Sequence, residues 1–104
     1  MALQINTALT ARDGGAVATG SYVKLESMFP MDDDLHYYVT IKLWRNLDAY
    51  NNGLSSLKVQ EIPTYNYTQE LTEEDFDSLT PLAVHQYAKT WLEQYTGADT
   101  VTIV

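Results

Sequence analysis

The chain has no cysteine, so disulfide bonds and thiolate metal sites are excluded, and with them a secreted disulfide scaffold. Packing must therefore supply the stability. Cations are also scarce: six Lys and Arg stand against fourteen Asp and Glu, for a formal charge of −8. Residues 1–58 hold six acids and five bases, whereas residues 59–104 hold eight acids and Lys89 alone. Such a surface repels phosphate backbones, and the scattered bases leave no footprint for nucleic-acid binding. No window approaches the roughly 20 apolar residues of a membrane span. The stretch from Met1 to Thr10 lacks the basic segment and apolar core of an export signal, so use without export, in the cytoplasm, is the expectation.

Catalytic signatures are missing as well. The sequence contains no HExxH, no Gly-x-Ser-x-Gly elbow, no GxGxxG and no GxxxxGK[ST]. The Gly14-Gly15 pair lacks the lysine and following helix that phosphate cradling needs. His36 and His85 are the only histidines, too few for most catalytic zinc sites unless carboxylates join them. His85 falls beside an apolar helical stripe and reads as a boundary histidine with a satisfied ring, and His36 opens a strand and is expected to face water. Asp32, Asp33 and Asp34 could offer oxygens to calcium or magnesium, but the spacing, glycine and distal glutamate of a calcium-binding hand are absent, which favours a solvated acidic turn. Neither a cofactor nor a metal is expected. Asn66-Tyr67-Thr68 matches a glycosylation sequon and, with no export signal, reads as chance.

What is present is the material for one folded domain. In 104 residues, 45% are hydrophobic and 12% aromatic, including eight tyrosines, enough apolar surface to offset chain entropy. A chain of this size buries roughly 65% of its unfolded surface around a single core, so residues 1–104 form one domain.

Alternation places Leu3, Ile5, Thr7 and Leu9 on one face of a first strand. The run from Thr10 to Gly20 reads as a long hairpin connection or a flexible projecting arm at about 10–20. A second strand is expected over Ser21 to Met28, stopped by Pro30. Leu35 to Arg45 is the clearest strand, with Tyr37, Val39, Ile41 and Leu43 toward the core and Tyr38, Thr40, Lys42 and Trp44 on the other face. Asn46 caps a short helix ended by Gly53. Leu57 to Ile62 alternates and leads through Pro63 into Tyr65 and Tyr67, as an edge strand or one broken at Pro63, with its tyrosine face expected to be exposed. Thr72 caps an acidic helical turn, in which Glu73, Glu74 and Asp75 suit the positive end of a helix dipole. Thr80 and Pro81 open the main helix, whose stripe of Val84, Tyr87, Ala88, Trp91, Leu92 and Tyr95 runs to a stop at Gly97. Thr100 to Val104 is a terminal strand that should pair with a sheet edge, in this chain or a neighbour. The fold class is α+β: an antiparallel or mixed β-sheet packed against one long helix in the C-terminal half, with short helical turns.

Tyr37, Tyr38, Tyr65 and Tyr67 with Trp44 make a candidate aromatic patch, for a protein partner or a carbohydrate ring, beside ordinary cross-strand pairing. Val101, Ile103 and Val104 add a strand edge that could be shared with a neighbouring subunit. The passage YYVTIKLWRNLDAYNNG, the acidic TEEDFDSLTP and the Trp/Tyr helix ending in GADTVTIV together resemble small virion proteins of tailed phages that infect Bacteroidota. The resemblance implies a repeated subunit of the capsid, head-tail connector, tail or fibre attachment, assembled in the host cytoplasm. It implies protein–protein contacts in a homo-oligomer or larger particle and no chemistry of the chain's own, and it carries over no site residue. The alternative is a small-ligand or carbohydrate-binding module. An enzyme would have to be built around His36 and Asp32 to Asp34.

Overall fold

A computed structural model of the chain describes residues 1–31 and 35–104. Its order is β1 (Leu3–Ile5), β2 (Leu9–Thr10), β3 (Ala16–Val17), β4 (Ser21–Met31), β5 (His36–Trp44), α1 (Leu47–Asn51), β6 (Asn66–Glu70), α2 (Glu73–Asp77), α3 (Pro81–Thr96) and β7 (Val101–Ile103). Five strands form an antiparallel sheet in the order β6-β5-β4-β1-β7, and β2 and β3 make a separate hairpin. This is the α+β architecture expected from the sequence.

The two longest strands set the frame. In β5 the alternation buries Val39, Ile41 and Leu43, as the period of two requires. Val23 and Leu25 of β4 stand opposite Leu43 and Ile41, so the apolar faces coincide until a bulge shifts the register between Leu25 and Ser27. β4 continues through Pro30 to Met31, past the expected stop. The reason lies in its neighbours: β1 pairs only with Ser21 to Val23, so the rest of β4 is hydrogen-bonded on one side alone, where a proline can be accommodated. Met31 belongs to this strand, and Asp32, Asp33 and Asp34 of the expected acidic turn lie outside the described residues.

α3 covers the apolar face. Thr80 Oγ1 accepts from the Ala83 amide at 3.1 Å, Pro81 takes the first turn, and Gly97 ends the helix at φ +110°. Val84, Ala88 and Leu92 enter the core with Leu3, Ile5, Val23, Val39, Ile41 and Leu43. The helix starts over β5 and β6, where Val84 lies near Tyr37 and Val39, and finishes against β1 and β7. Its last turns are tied to β7: Glu93 accepts from the Val101 amide at 3.2 Å, and the Thr96 and Thr100 hydroxyls are 2.7 Å apart.

Several local expectations change. The first strand breaks after Ile5, and its second half, β2, joins a different sheet. The 10–20 segment takes the hairpin form and does not project as an arm: Leu9, Ala11 and Val17 belong to the main core. The expected strand from Leu57 to Ile62 is reduced to single bridges, Leu57 with Leu43 and Val59 with Ala11. A second layer of bonds joins this segment to the hairpin, from the Arg12 amide to the Lys58 carbonyl and from the Gln60 amide to the Thr10 carbonyl. Val59 and Ile62 are fully buried there, although they fall on opposite sides of the expected alternation. α1 forms as expected, with Asn46 Oδ1 accepting from the Ala49 amide at 2.8 Å and Gly53 left-handed at φ +70°.

Leu92 is fully buried on α3 under the sheet. Leu92→Ala should lower unfolding free energy by about 2–5 kcal/mol, read from denaturant midpoints with an unchanged slope. A loss below about 1 kcal/mol would mean that α3 contributes little to holding the sheet.

Candidate functional site

The site begins where two neighbours of β5 diverge. β6 pairs with β5 from His36↔Glu70 to Thr40↔Asn66, and the Ile41 amide then donates to the Tyr65 carbonyl at 2.8 Å. One turn of the pleat later, the Leu43 carbonyl accepts from the Leu57 amide at 2.8 Å. Between these contacts the chain leaves the sheet plane through Val59, Ile62 and Pro63. The result is a cleft of about 260 Å³ walled by Thr40–Leu43, Ser56–Lys58 and Tyr65–Asn66.

Its chemistry differs from the rest of the molecule. Lys42 and Lys58 line it, together with the hydroxyls of Thr40, Ser56 and Tyr65 and the Asn66 amide. Tyr65 is held by the Val59 amide, which donates to its Oη at 2.7 Å. The Arg12 guanidinium carbon lies 5.9 Å and the Lys58 ammonium 5.6 Å from the Tyr65 ring centre, within reach of the ring's negative face. Burial pushes the Tyr65 phenol above its ordinary value, with the Val59 amide and Arg12 pulling it down and Glu61 pushing it up. Glu61 is itself engaged, both carboxylate oxygens accepting from the Thr10 amide at 2.6 and 2.9 Å.

Lys89–Glu93, at 3.2 Å on α3, is the sole ion pair among the described residues. Lys42 and Lys58 thus line one cleft, and neither forms an ion pair among the described residues. Positive charge, several donors and a concave wall together favour negative over positive groups at this place. At about 260 Å³ the cleft falls below the roughly 300–1,000 Å³ of small-molecule sites. It fits one or two inserted side chains better than a drug-sized ligand.

The aromatic patch expected from the sequence is divided by the sheet. Tyr37 packs inward, its ring centre 5.9 Å from Phe76 of α2. Tyr67 also faces α3, stacked on Trp91 at 4.6 Å with planes 8° apart, and Tyr65 turns to the cleft. On the opposite face Tyr38 is 38% exposed, but Trp44 is only 8% exposed, with its indole N–H donating to the Leu54 carbonyl at 2.9 Å and its ring against Tyr50. The residues therefore form no single flat platform. The reason is parity: Tyr37 and Tyr38 are adjacent in β5 and must point to opposite faces. At the terminal strand Val101 is buried, Ile103 half-buried and Val104 exposed, and the strand pairs with β1 of its own chain.

The histidines do not reach the cleft. His36 begins β5 and is half-buried where exposure was expected, and His85 is buried with Nδ1 2.6 Å from the Pro81 carbonyl oxygen. Among the described residues no group of three or more His, Asp or Glu could hold a metal ion, and no helix is long and apolar enough to cross a membrane. Sequence reasoning passed over Arg12, Lys42, Lys58, Ser56 and Asn66. Lys42 was legible as an outward residue of β5, but its place beside Lys58 in one cleft wall follows from the long-range bridge of Leu57 to Leu43, which no local pattern encodes.

With the geometry in place, comparison adds no relative: no protein-family model, no curated protein and no solved structure matches the chain.

Tyr67 offers a test of the packing behind the site. Its hydroxyl is buried with no hydrogen-bond partner among the described residues, and burial pushes the phenol well above its ordinary value. Tyr67→Phe should raise stability by about 1 kcal/mol, since an unsatisfied buried hydroxyl is removed and the Trp91 stack is kept. In the parent chain the folded state holds this proton more tightly than the unfolded state. Stability should therefore be intact below about pH 10 and fall as pH rises beyond it. Thermal melts between pH 8 and 11, run on both proteins, should show the steeper alkaline loss in the parent.

Proposed function

We propose that the chain is a non-enzymatic assembly subunit that acts through protein–protein contacts, with the Lys42/Lys58/Arg12 cleft as the contact that receives an acidic protein segment. The observation that carries this reading is the pair of lysines, without salt-bridge partners among the described residues, in a chain of net charge −8, at a concave site sized for side chains. Electrostatic complementarity of that kind sets partner choice and register more than raw affinity, as suits a repeated subunit. A place in a particle such as the tailed-phage virion, where the sequence resemblance would put it, is consistent with this role.

The carbohydrate-binding alternative draws less support. Stacking a sugar needs open ring faces, and here Tyr67 is stacked on Trp91, Tyr37 packs inward edge-on to Phe76, and Trp44 is buried edge-on to Tyr50. Nucleic acid is disfavoured by the overall negative charge, which opposes the approach of a long polyanion even toward a local basic site.

The test is fluorescence anisotropy with a labelled oligoglutamate peptide and a labelled oligoserine control. Oligoglutamate should bind at 50 mM salt, weaken at 500 mM, and lose about tenfold in affinity against a Lys42→Ser/Lys58→Ser double variant. Equal binding of both peptides, or binding that survives the double substitution, would remove the cleft from the reading.

A further inference from the structure

We infer that the acidic segment received by the cleft is α2 of a second copy of this chain. The inference rests on the assembly reading above and names its partner. Two observations favour a second copy. The cleft demands carboxylates presented on a narrow convex support, and α2 is such a support: Glu73, Glu74, Asp75 and Asp77 are all exposed on a five-residue helix. The charge is also uncompensated within the chain, since no Lys or Arg occurs between Lys58 and Lys89 and none of these four carboxylates forms an ion pair among the described residues.

The cleft cannot be satisfied by its own α2. α2 is held at the far end of β5: the Leu71 amide donates to the Leu35 carbonyl, and Phe76 packs on Tyr37. The cleft lies along β5 at Thr40–Leu43, roughly 20 Å from His36 at about 3.4 Å per residue. Each copy thus carries a donor and an acceptor of the same contact at separate places. Two copies can satisfy both contacts around a two-fold axis, and many copies can do so in a ring or row.

The physics predicts an unusual dependence on salt. Whole copies of charge −8 repel over long distances, and this repulsion is screened first, with a Debye length of about 30 Å at 0.01 M and about 8 Å at 0.15 M. The close carboxylate–ammonium contact persists until the Debye length nears about 3 Å at 1 M. Self-association should therefore be weak at 0.01 M, strongest near 0.15 M and weak again at 1 M.

The experiment measures mass in solution by sedimentation over a concentration series, for the parent and two charge-reversed variants. One is Lys42→Glu/Lys58→Glu in the cleft. The other is Glu74→Lys/Asp77→Lys in α2, which leaves the capping Thr72 and the first helical residue in place and puts a cation at the helix C-terminus, where the dipole favours it. Circular dichroism and melting temperature establish that both variants fold. The parent should self-associate, and each variant alone should lose about tenfold or more in association. Mixing the two should restore a complex, because the reversed cleft meets the reversed helix.

Restoration on mixing supports the inference, since neither misfolding nor loss of an unrelated partner could produce it. Self-association that persists unchanged in both variants overturns the α2 contact and leaves the assembly reading standing on another surface. A parent that stays monomeric at all three salt concentrations overturns the second-copy partner. If that monomer still binds oligoglutamate, the cleft serves a foreign acidic protein; if it binds labelled single-stranded DNA more tightly, the protein-contact reading fails too.

Discussion

The apolar face shared by β4 and β5 is the constraint on which the molecule depends. Val23, Leu25, Val39, Ile41 and Leu43 present one continuous surface, and three separate pieces of chain are drawn over it: α3, the β2–β3 hairpin, and the irregular segment around Val59 and Ile62. Burying side chains of this size is worth about 1.5–3 kcal/mol each relative to exposure, far more than any single surface contact in the structure. The coverings are therefore recruited by the core, and their polar features follow from where the core places them.

That dependence accounts for the cleft. The segment from Leu57 to Ile62 must serve two masters: Leu57 bonds to β5, while Val59 and Ile62 sink beneath the hairpin. Each side is held by only a bond or two, Leu57 to Leu43 on one edge and Lys58 and Gln60 to the hairpin on the other, so neither contact extends into a ladder. The chain leaves the sheet and returns only at Tyr65, and the opening between is lined by whatever residues flank the departure. Those residues happen to include Lys42 and Lys58, with Arg12 brought in by the hairpin that caused the departure. A basic site in an acidic protein is thus a by-product of core geometry that evolution could retain as a contact.

This also marks the boundary of what the sequence discloses. β5, α1 and α3 were legible because each is specified locally: alternation at Tyr37 to Leu43, a cap at Asn46 with a stop at Gly53, and Thr80-Pro81 leading a stripe of three- and four-residue spacing. Leu57 to Ile62 alternated less cleanly, with Glu61 on the side of Leu57 and Val59, and Ile62 on the other, and formed no strand, since its burial comes from two different partners. Pro30 misled for the converse reason, since its effect depends on whether a second neighbour lies alongside. The aromatic patch failed on parity, which was already visible in the adjacency of Tyr37 and Tyr38. The cleft was hidden throughout, as its two lysines are separated in sequence and meet only through the pairing of β5 with Leu57.

The charge distribution then connects fold to role. A domain this small gains little from surface ion pairs, which contribute about 0–1 kcal/mol each, so leaving Lys42 and Lys58 without partners costs the isolated chain almost nothing. The acidic first turn of α2 likewise gains from the helix dipole and needs no cation nearby. Neither feature is required for folding, yet both are placed on rigid supports, one between strands and one pinned by Phe76 on Tyr37. Charges that stability neither demands nor forbids are available to specify contacts. Where net charge repels like molecules at long range, a matched pair of opposite patches favours one register of contact over others.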